Sequence, residues 1–199
     1  FTYTEPVSKN SQVSIQYRFD MEDQDINKEA YITGADFNIA GLQPDASLSL
    51  FTDSRTMEHR VGPGYRYAKG KNTVVANVYY QHSTLDGLVK GENIKRSYDH
   101  VTYFLMTNAA FNPQNTLRVS ATSEIKAPSL WQMIDIYDVS NSQYLSCGNP
   151  DLRPYTEHNY FVRYTNLSTR KGTTFMIMAK AMLRPDYIGT DIVYSPETI

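Results

Sequence analysis

Four histidines, one cysteine and 21 acidic residues are the side chains in this 199-residue sequence with the chemistry to hold a metal or move a proton. His59, His82 and His100 fall near the same end of consecutive extended segments, a placement that suggests imidazoles converging on one ion. In extended chain, however, alternate residues face opposite sides. His59 and His82 fall in the apolar register of their segments and His100 in the other, with Thr102. Rings on opposite faces cannot share an ion, so no metal site is expected. Asp135, Asp138 and Asp151 are loop carboxylates without fixed spacing, and no Ser-His-Asp or paired-acid arrangement emerges. Cys147 has no second cysteine to bond and reads as an incidental thiol beside Gly148. The sequence therefore reads as a non-enzyme that needs no cofactor.

Binding residues are easier to place. Trp131, Tyr137 and Tyr144 share one long polar segment, and exposed aromatics on a loop can contact a sugar or peptide. Packing of that loop on itself is the competing and preferred reading. The segment ends in Asn149, Pro150, Asp151, Leu152, Arg153 and Pro154. Asn and Asp fold back on nearby backbone and Pro fixes φ, so this run is expected to pin the loop as it descends into the next strand.

Bulk properties narrow the class. A net charge of −2 and a pI near 6.1 give no polyanion bias, so nucleic acid is not an expected partner. Mean hydropathy is −0.48, and no run approaches the ~20 apolar residues of a membrane helix. A β-barrel is not excluded, because its strands are apolar on one side only. The chain starts at Phe1 and stops at Ile199 with no closing feature, so both ends read as cuts in a longer protein.

The elements that must position these residues repeat with period two. Leu117, Val119, Ala121, Ser123 and Ile125 alternate with Arg118, Ser120, Thr122 and Glu124. Val13, Ile15, Tyr17 and Phe19 alternate in the same way with Ser14, Gln16, Arg18 and Asp20. Each is a strand with one apolar and one wet face. Applied throughout, the pattern predicts strands over 1–7, 12–20, 56–68, 73–83, 97–111, 116–125, 157–167 and 173–184. Most match the ~9–11 residues with which a tilted strand crosses a bilayer. Pro63 lacks a ladder donor, so a bulge or a locally broken pairing is expected there, helped by Gly62 and Gly64. Ser129 to Ile134 has room for one helical turn, with Ser129 as its cap.

Connections alternate in length. Tight turns are expected at 8–11, 69–72, 112–115 and 168–172, and long polar segments at 21–55, 84–96 and 126–156. In an up-and-down sheet this puts all short turns at one rim and all long loops at the other, as in transmembrane barrels. Soluble sandwiches and propellers also alternate turn lengths, so the pattern alone leaves both open.

Several stretches resemble one family. They are Tyr3-Thr4-Glu5-Pro6 with Ser8-Lys9-Asn10, His59-Arg60-Val61-Gly62 with Tyr65-Arg66-Tyr67, and Tyr80 to Leu85. Arg118-Val119-Ser120, Lys126-Ala127-Pro128-Ser129 and, most specifically, Gly148 to Pro154 followed by Glu157-His158 complete the set. Together they resemble the β-barrel portion of TonB-dependent outer-membrane receptors, of the kind common in Bacteroidetes. The likeness runs from Phe1 to about Tyr194, is weakest over 30–50, and departs at Tyr155, where the family tends to have an acid. It implies an all-β fold: an antiparallel up-and-down meander of about eight strands, a partial segment of a large transmembrane barrel. Residues 1–199 are then part of one barrel domain, without its plug. The expected partners are outer-membrane lipid, the receptor's own plug domain, the TonB complex and an unknown imported ligand, with the long loops extracellular.

Two bands of amphipathic rings fit that placement: Tyr17, Tyr80 and His158 toward the loop rim, and Tyr65, Tyr67, Tyr164 and Phe111 toward the turn rim. Ordinary strand propensity of tyrosine is the alternative. His59 and His82 suit a membrane interface better than a metal. Arg18, Arg66, Arg118, Arg163, Lys180, Arg184, Glu58 and Glu124 would line the interior. Rival readings are a soluble sheet or sandwich that binds glycan or protein, and a plugless adhesin or pore. The first requires a second layer over Val119, Val162 and Ile177. An excised piece with open edges is expected to curl, to dimerise or to bury its apolar faces together.

Overall fold

The computed structural model describes residues 1–32, 42–45, 49–89, 92–135, 137, 145–168 and 170–193. Asp138, Tyr144 and much of the 30–50 stretch lie outside these residues. The strands are β1 (Thr2–Ser8), β2 (Ser11–Lys28), β3 (Leu50–Lys69), β4 (Asn72–Val89), β5 (Glu92–Asn112), β6 (Asn115–Lys126), β7 (Tyr155–Ser168) and β8 (Thr173–Leu183). They form one eight-stranded sheet in the order β1-β2-β3-β4-β5-β6-β7-β8, every neighbouring pair antiparallel. The fold is thus the all-β, antiparallel up-and-down meander that the alternation predicts. Among the described residues the one helix is a single turn, α1 (Leu130–Met133). Its N-cap is Ser129, whose hydroxyl accepts from the Gln132 backbone while the Gln132 side chain accepts from the Ser129 backbone.

The tight turns fall where expected. Gly70 and Gly172 take the left-handed conformation, φ 60° and 64°, that a side chain would resist. Asn112 closes its turn with Oδ1 accepting from the backbone N–H of Gln114 and Asn115 at 3.0 and 2.8 Å.

The other ends differ from expectation. β2 to β5 hold 18, 20, 18 and 21 residues and run past the predicted spans 12–20, 56–68, 73–83 and 97–111 toward the long connections. Residues 84–96, expected as a long loop, are almost wholly a paired hairpin that runs to Val89↔Glu92. The physical reason is a phase change. Below this level Val74, Ala76, Val78 and Tyr80 put most of β4's apolar residues on one face. Above it the buried ones, Leu85 and Val89, lie on the opposite face, while Leu88 stays exposed on the first. A search for alternation of fixed phase stops at the inversion.

Pro63 produces the second of its two expected effects. Val61↔Tyr80 and Gly64↔Asn77 keep one register, while Gly62 and Pro63 drop out of the β3–β4 pairing with no residue inserted. A Cβ on Gly62 would overlap the Val78 carbonyl oxygen, so only glycine permits the strands to approach there. Register shifts occur instead near the turns, between Pro6 and Ser8 and between Ala110 and Asn112.

Among the described residues there is no central core. Their buried apolar members are Leu85, Val89, Leu130, Met133 and Ile134, with Ile94, Trp131 and Leu152 packed around them. They lie at the long-connection rim, where the β6–β7 segment folds onto the polar face of β4 and β5.

Candidate functional site

Register brings one alternating set from every strand onto a common face. Ile15, Val61, Tyr80 and Val101 belong to it, as do Val119, Val162 and Ala179. These side chains stay open: Ile15 is 51%, Val78 49%, Val101 64% and Ile177 55% exposed. Among the described residues no second layer covers the face: the extensive contacts of each strand are with its sheet neighbours, and the β6–β7 segment packs on the opposite face. Burying an aliphatic side chain is worth about 1.5–3 kcal/mol, so a face of this extent left in water is strongly disfavoured.

Polar rings edge the face on the side of the long connections. The Tyr17 hydroxyl lies 2.9 Å from His59 Nδ1, and the Phe19 ring centroid lies 4.9 Å from that of His59. His59 is the register partner of His82, and His82 of Asp99. Asp99 Oδ1 accepts from the Tyr80 hydroxyl at 2.6 Å and lies 2.6 Å from His82 Nδ1. Farther along, the Tyr103 hydroxyl meets His158 Nδ1 at 3.0 Å and the Tyr160 hydroxyl at 3.1 Å. On the turn side Tyr65 donates to Ser11 Oγ at 3.3 Å and Tyr164 to Asn115 Oδ1 at 2.6 Å. From His59 to Tyr67 along β3 the band spans about 26 Å at ~3.3 Å per residue.

Beyond the upper rings the same face changes character. Asp23 and Arg55 pair at 2.6 Å, and Asp86 and Lys95 at 3.3 Å. Ion pairs therefore interrupt the face beyond the rings as the strands continue, although Phe51 and Leu88 remain exposed there.

The opposite face is polar and cross-linked. Gln16 of β2 reaches across β3 to β4, donating to Asn77 Oδ1 at 3.5 Å and accepting from the Tyr79 hydroxyl at 2.9 Å. It passes over Gly64, where a Cβ would collide with Asn77 Oδ1. Arg60–Glu58, at 2.9 Å, and Arg184–Glu157, at 2.6 Å, are the ion pairs of this face with the least exposed carboxylates.

The described candidate ligand contacts on the β6–β7 segment, Trp131 and Tyr137, differ in exposure. Trp131 packs against the small core with Lys28 Nζ 4.4 Å above its ring. Tyr137 is 62% exposed, and Tyr144 lies outside the described residues. The 149–154 run holds the segment down. Gly148 N and Asn149 N donate to the Ile134 and Gln132 carbonyls at 3.0 and 2.7 Å. Asp151 N donates to Asn149 Oδ1 at 2.9 Å, and Leu152 packs on the core. Pro150 and Pro154 flank this turn, and Pro154 directly precedes β7. Tyr155, where the sequence departs from the receptor pattern, meets Tyr187 edge-on at 5.3 Å.

His100 lies on the polar face opposite Gln81, apart from His59 and His82. Among the described residues no group of three metal-type ligands converges. Sequence reasoning missed Asp99, and it missed Tyr103 and Tyr160 as the partners grouped with His158. Parity already places Asp99 beside Val101, and a carboxylate in an apolar register was the available signal. Comparison with family models, curated proteins and solved structures gives no match. The class that the geometry defines is an open antiparallel sheet with one banded apolar face.

Proposed function

We propose that this chain is a section of an outer-membrane β-barrel wall, with its apolar band in lipid and its long connections outside the cell. In the intact protein the wall belongs to a TonB-dependent receptor that takes up a ligand, with a plug domain and the TonB complex as partners. One observation carries the membrane part. The apolar face of all eight strands is open, is bounded by hydroxyl- and imidazole-bearing rings, and turns ionic beyond them. Lipid satisfies such a band, rings suit the two headgroup regions, and water suits the ionic extension. The receptor part is supported by the sequence motifs from Tyr3 to His158.

The membrane part is tested with nitroxide labels on the chain in phospholipid vesicles. Labels at Val78, Val119 and Val162 should collide with oxygen more than with a water-soluble nickel chelate. Labels at Asn77, Ser120 and Arg163 should do the reverse. Equal behaviour of the two registers, or a chain that remains in the aqueous phase, removes the reading. The receptor part requires a plug domain ahead of this wall in the full-length protein, and without one the uptake role fails.

A further inference from the structure

The polar face divides into two electrical halves. Toward the long connections Arg18, Arg60, Lys126 and Arg184 pair with Asp20, Glu58, Glu124 and Glu157 at 2.6, 2.9, 2.9 and 2.6 Å. Toward the turns the acids stop. Residues 59–85, 100–123 and 158–185 contain no Asp or Glu. Arg66, Arg118, Arg163 and Lys180 stand on the polar face of these hairpins. Among the described residues none of the four has a carboxylate partner.

Arg118 and Arg163 are direct register partners. Like charges opposed across an antiparallel pair are unfavourable unless something compensates them. One same-face row toward the long connections stand Ser120, Phe161 and Lys180. There a hollow of about 520 Å³ is lined by Ser120, Thr122, Asn159, Phe161, Lys180 and Met182, among others. Its wall offers two hydroxyls, an amide and an ammonium, and no carboxylate lines it. Lys180 Nζ lies 5.9 Å from the Phe161 ring centroid, so charge and an apolar surface adjoin. The nearest acid along β7, Glu157, is already engaged by Asn159 and Arg184. Adjacent same-face rows are about 6.6 Å apart, within reach of an arginine side chain.

We propose that this hollow binds a small organic oxyanion, phosphate- or carboxylate-bearing, with Lys180, Arg118 and Arg163 taking its charge and Phe161 and Met182 its carbon body. Guanidinium forks suit both groups, because two N–H donors match two oxygens. A free solute and a lipid headgroup share this chemistry. The inference needs an accessible polar face and does not depend on the transport role.

Calorimetric titration of the whole chain in non-ionic detergent with pyrophosphate tests it. Saturable, salt-sensitive binding is expected. Arg118→Gln and Arg163→Gln should each weaken it by about tenfold or more, as expected for loss of a hydrogen bond to a charged group. Arg118→Lys should recover part of the loss. Lys71→Gln, at the turn, should leave binding unchanged, and the emission of Trp131 should confirm that each variant is folded. If pyrophosphate binds, the source is a soluble anion. If only phosphatidylglycerol added to the micelles binds, and the same two variants abolish it, the source is a headgroup. No binding in either arm, or losses no larger than that of Lys71→Gln, overturns the site.

Discussion

A methyl group on Gly148 would lie 2.5 Å from the Ile134 carbonyl oxygen and 2.6 Å from that of Gln132. Both are backbone atoms, so neither can swing away. Gly148→Ala should therefore release the clamp on α1 at a local cost of about 1–3 kcal/mol. Trp131 is the sole tryptophan and sits in that cluster, so its emission should shift to the red and become more accessible to iodide. An unchanged spectrum would mean that the segment is held elsewhere. Cys147, next in sequence, donates its thiol proton to Asp135 Oδ1 at 3.1 Å. That hydrogen bond, and the carboxylate charge behind it, hold the thiol above its ordinary range. Alkylation by iodoacetamide at pH 8 should accordingly be slow and should accelerate in Asp135→Asn. Equal rates in the two proteins would remove the link. On β3, Gly62→Ala should push β4 away at the Val78 carbonyl, and amide exchange near Val78 and Tyr79 should rise.

At the scale of the element, β2 and β3 continue past the ring belt as a hairpin held partly by charge. The Arg55 guanidinium, through its hydrogen bonds and then its charge, holds the Asp23 carboxyl below the usual carboxylate range. A depressed carboxyl stabilises the fold above its unfolded value, near ~3.9, and loses that contribution as pH falls through the folded one. Protection from amide exchange over residues 21–28, taken relative to the intrinsic rate at each pH, should therefore fall at pH below 4, and Arg55→Gln should abolish that acid dependence. Both groups are exposed, so the effect is small and local. The same hairpins mark where sequence reading stops. β6, β7 and β8 were legible almost to their ends, because one alternation of fixed phase runs through each. The outer halves of β2 and β3 carry acids in both registers, and β4 inverts its phase at Leu85, so the apolar signal fades or reverses. The belt was legible for Tyr17, Tyr80 and His158. Its partners Tyr103, Tyr160 and Asp99 needed the register across strands, which only pairing supplies. Trp131 was visible as a loop aromatic. Its place under Lys28 depends on a segment folding back onto the polar face, which no local pattern encodes.

For the whole molecule, the proposed membrane placement makes lipid the decisive solvent for the open band. Val119→Arg, at mid-band, should destabilise the chain in bilayers by about 2–4 kcal/mol, whereas Ser120→Arg, one residue along on the polar face, should cost far less. Urea titration in vesicles separates the two, and equal midpoints would count against a lipid-facing register. Among the described residues β1 pairs only with β2 and β8 only with β7, so each presents a free backbone edge within the sheet. Without detergent the chain should self-associate, and a monodisperse monomer by sedimentation would contradict this. The phase inversion in β4 has a consequence for how the strands align. A one-residue slip of β4 turns every side chain over. In most strands such an error spoils a single amphipathic code. In β4 it would strand Leu85 and Val89 among charges at one end and drive Asn77 and Tyr79 toward grease at the other. Opposed codes along one ribbon act as a two-toothed key, so a slip of β4 is penalised at both of its ends.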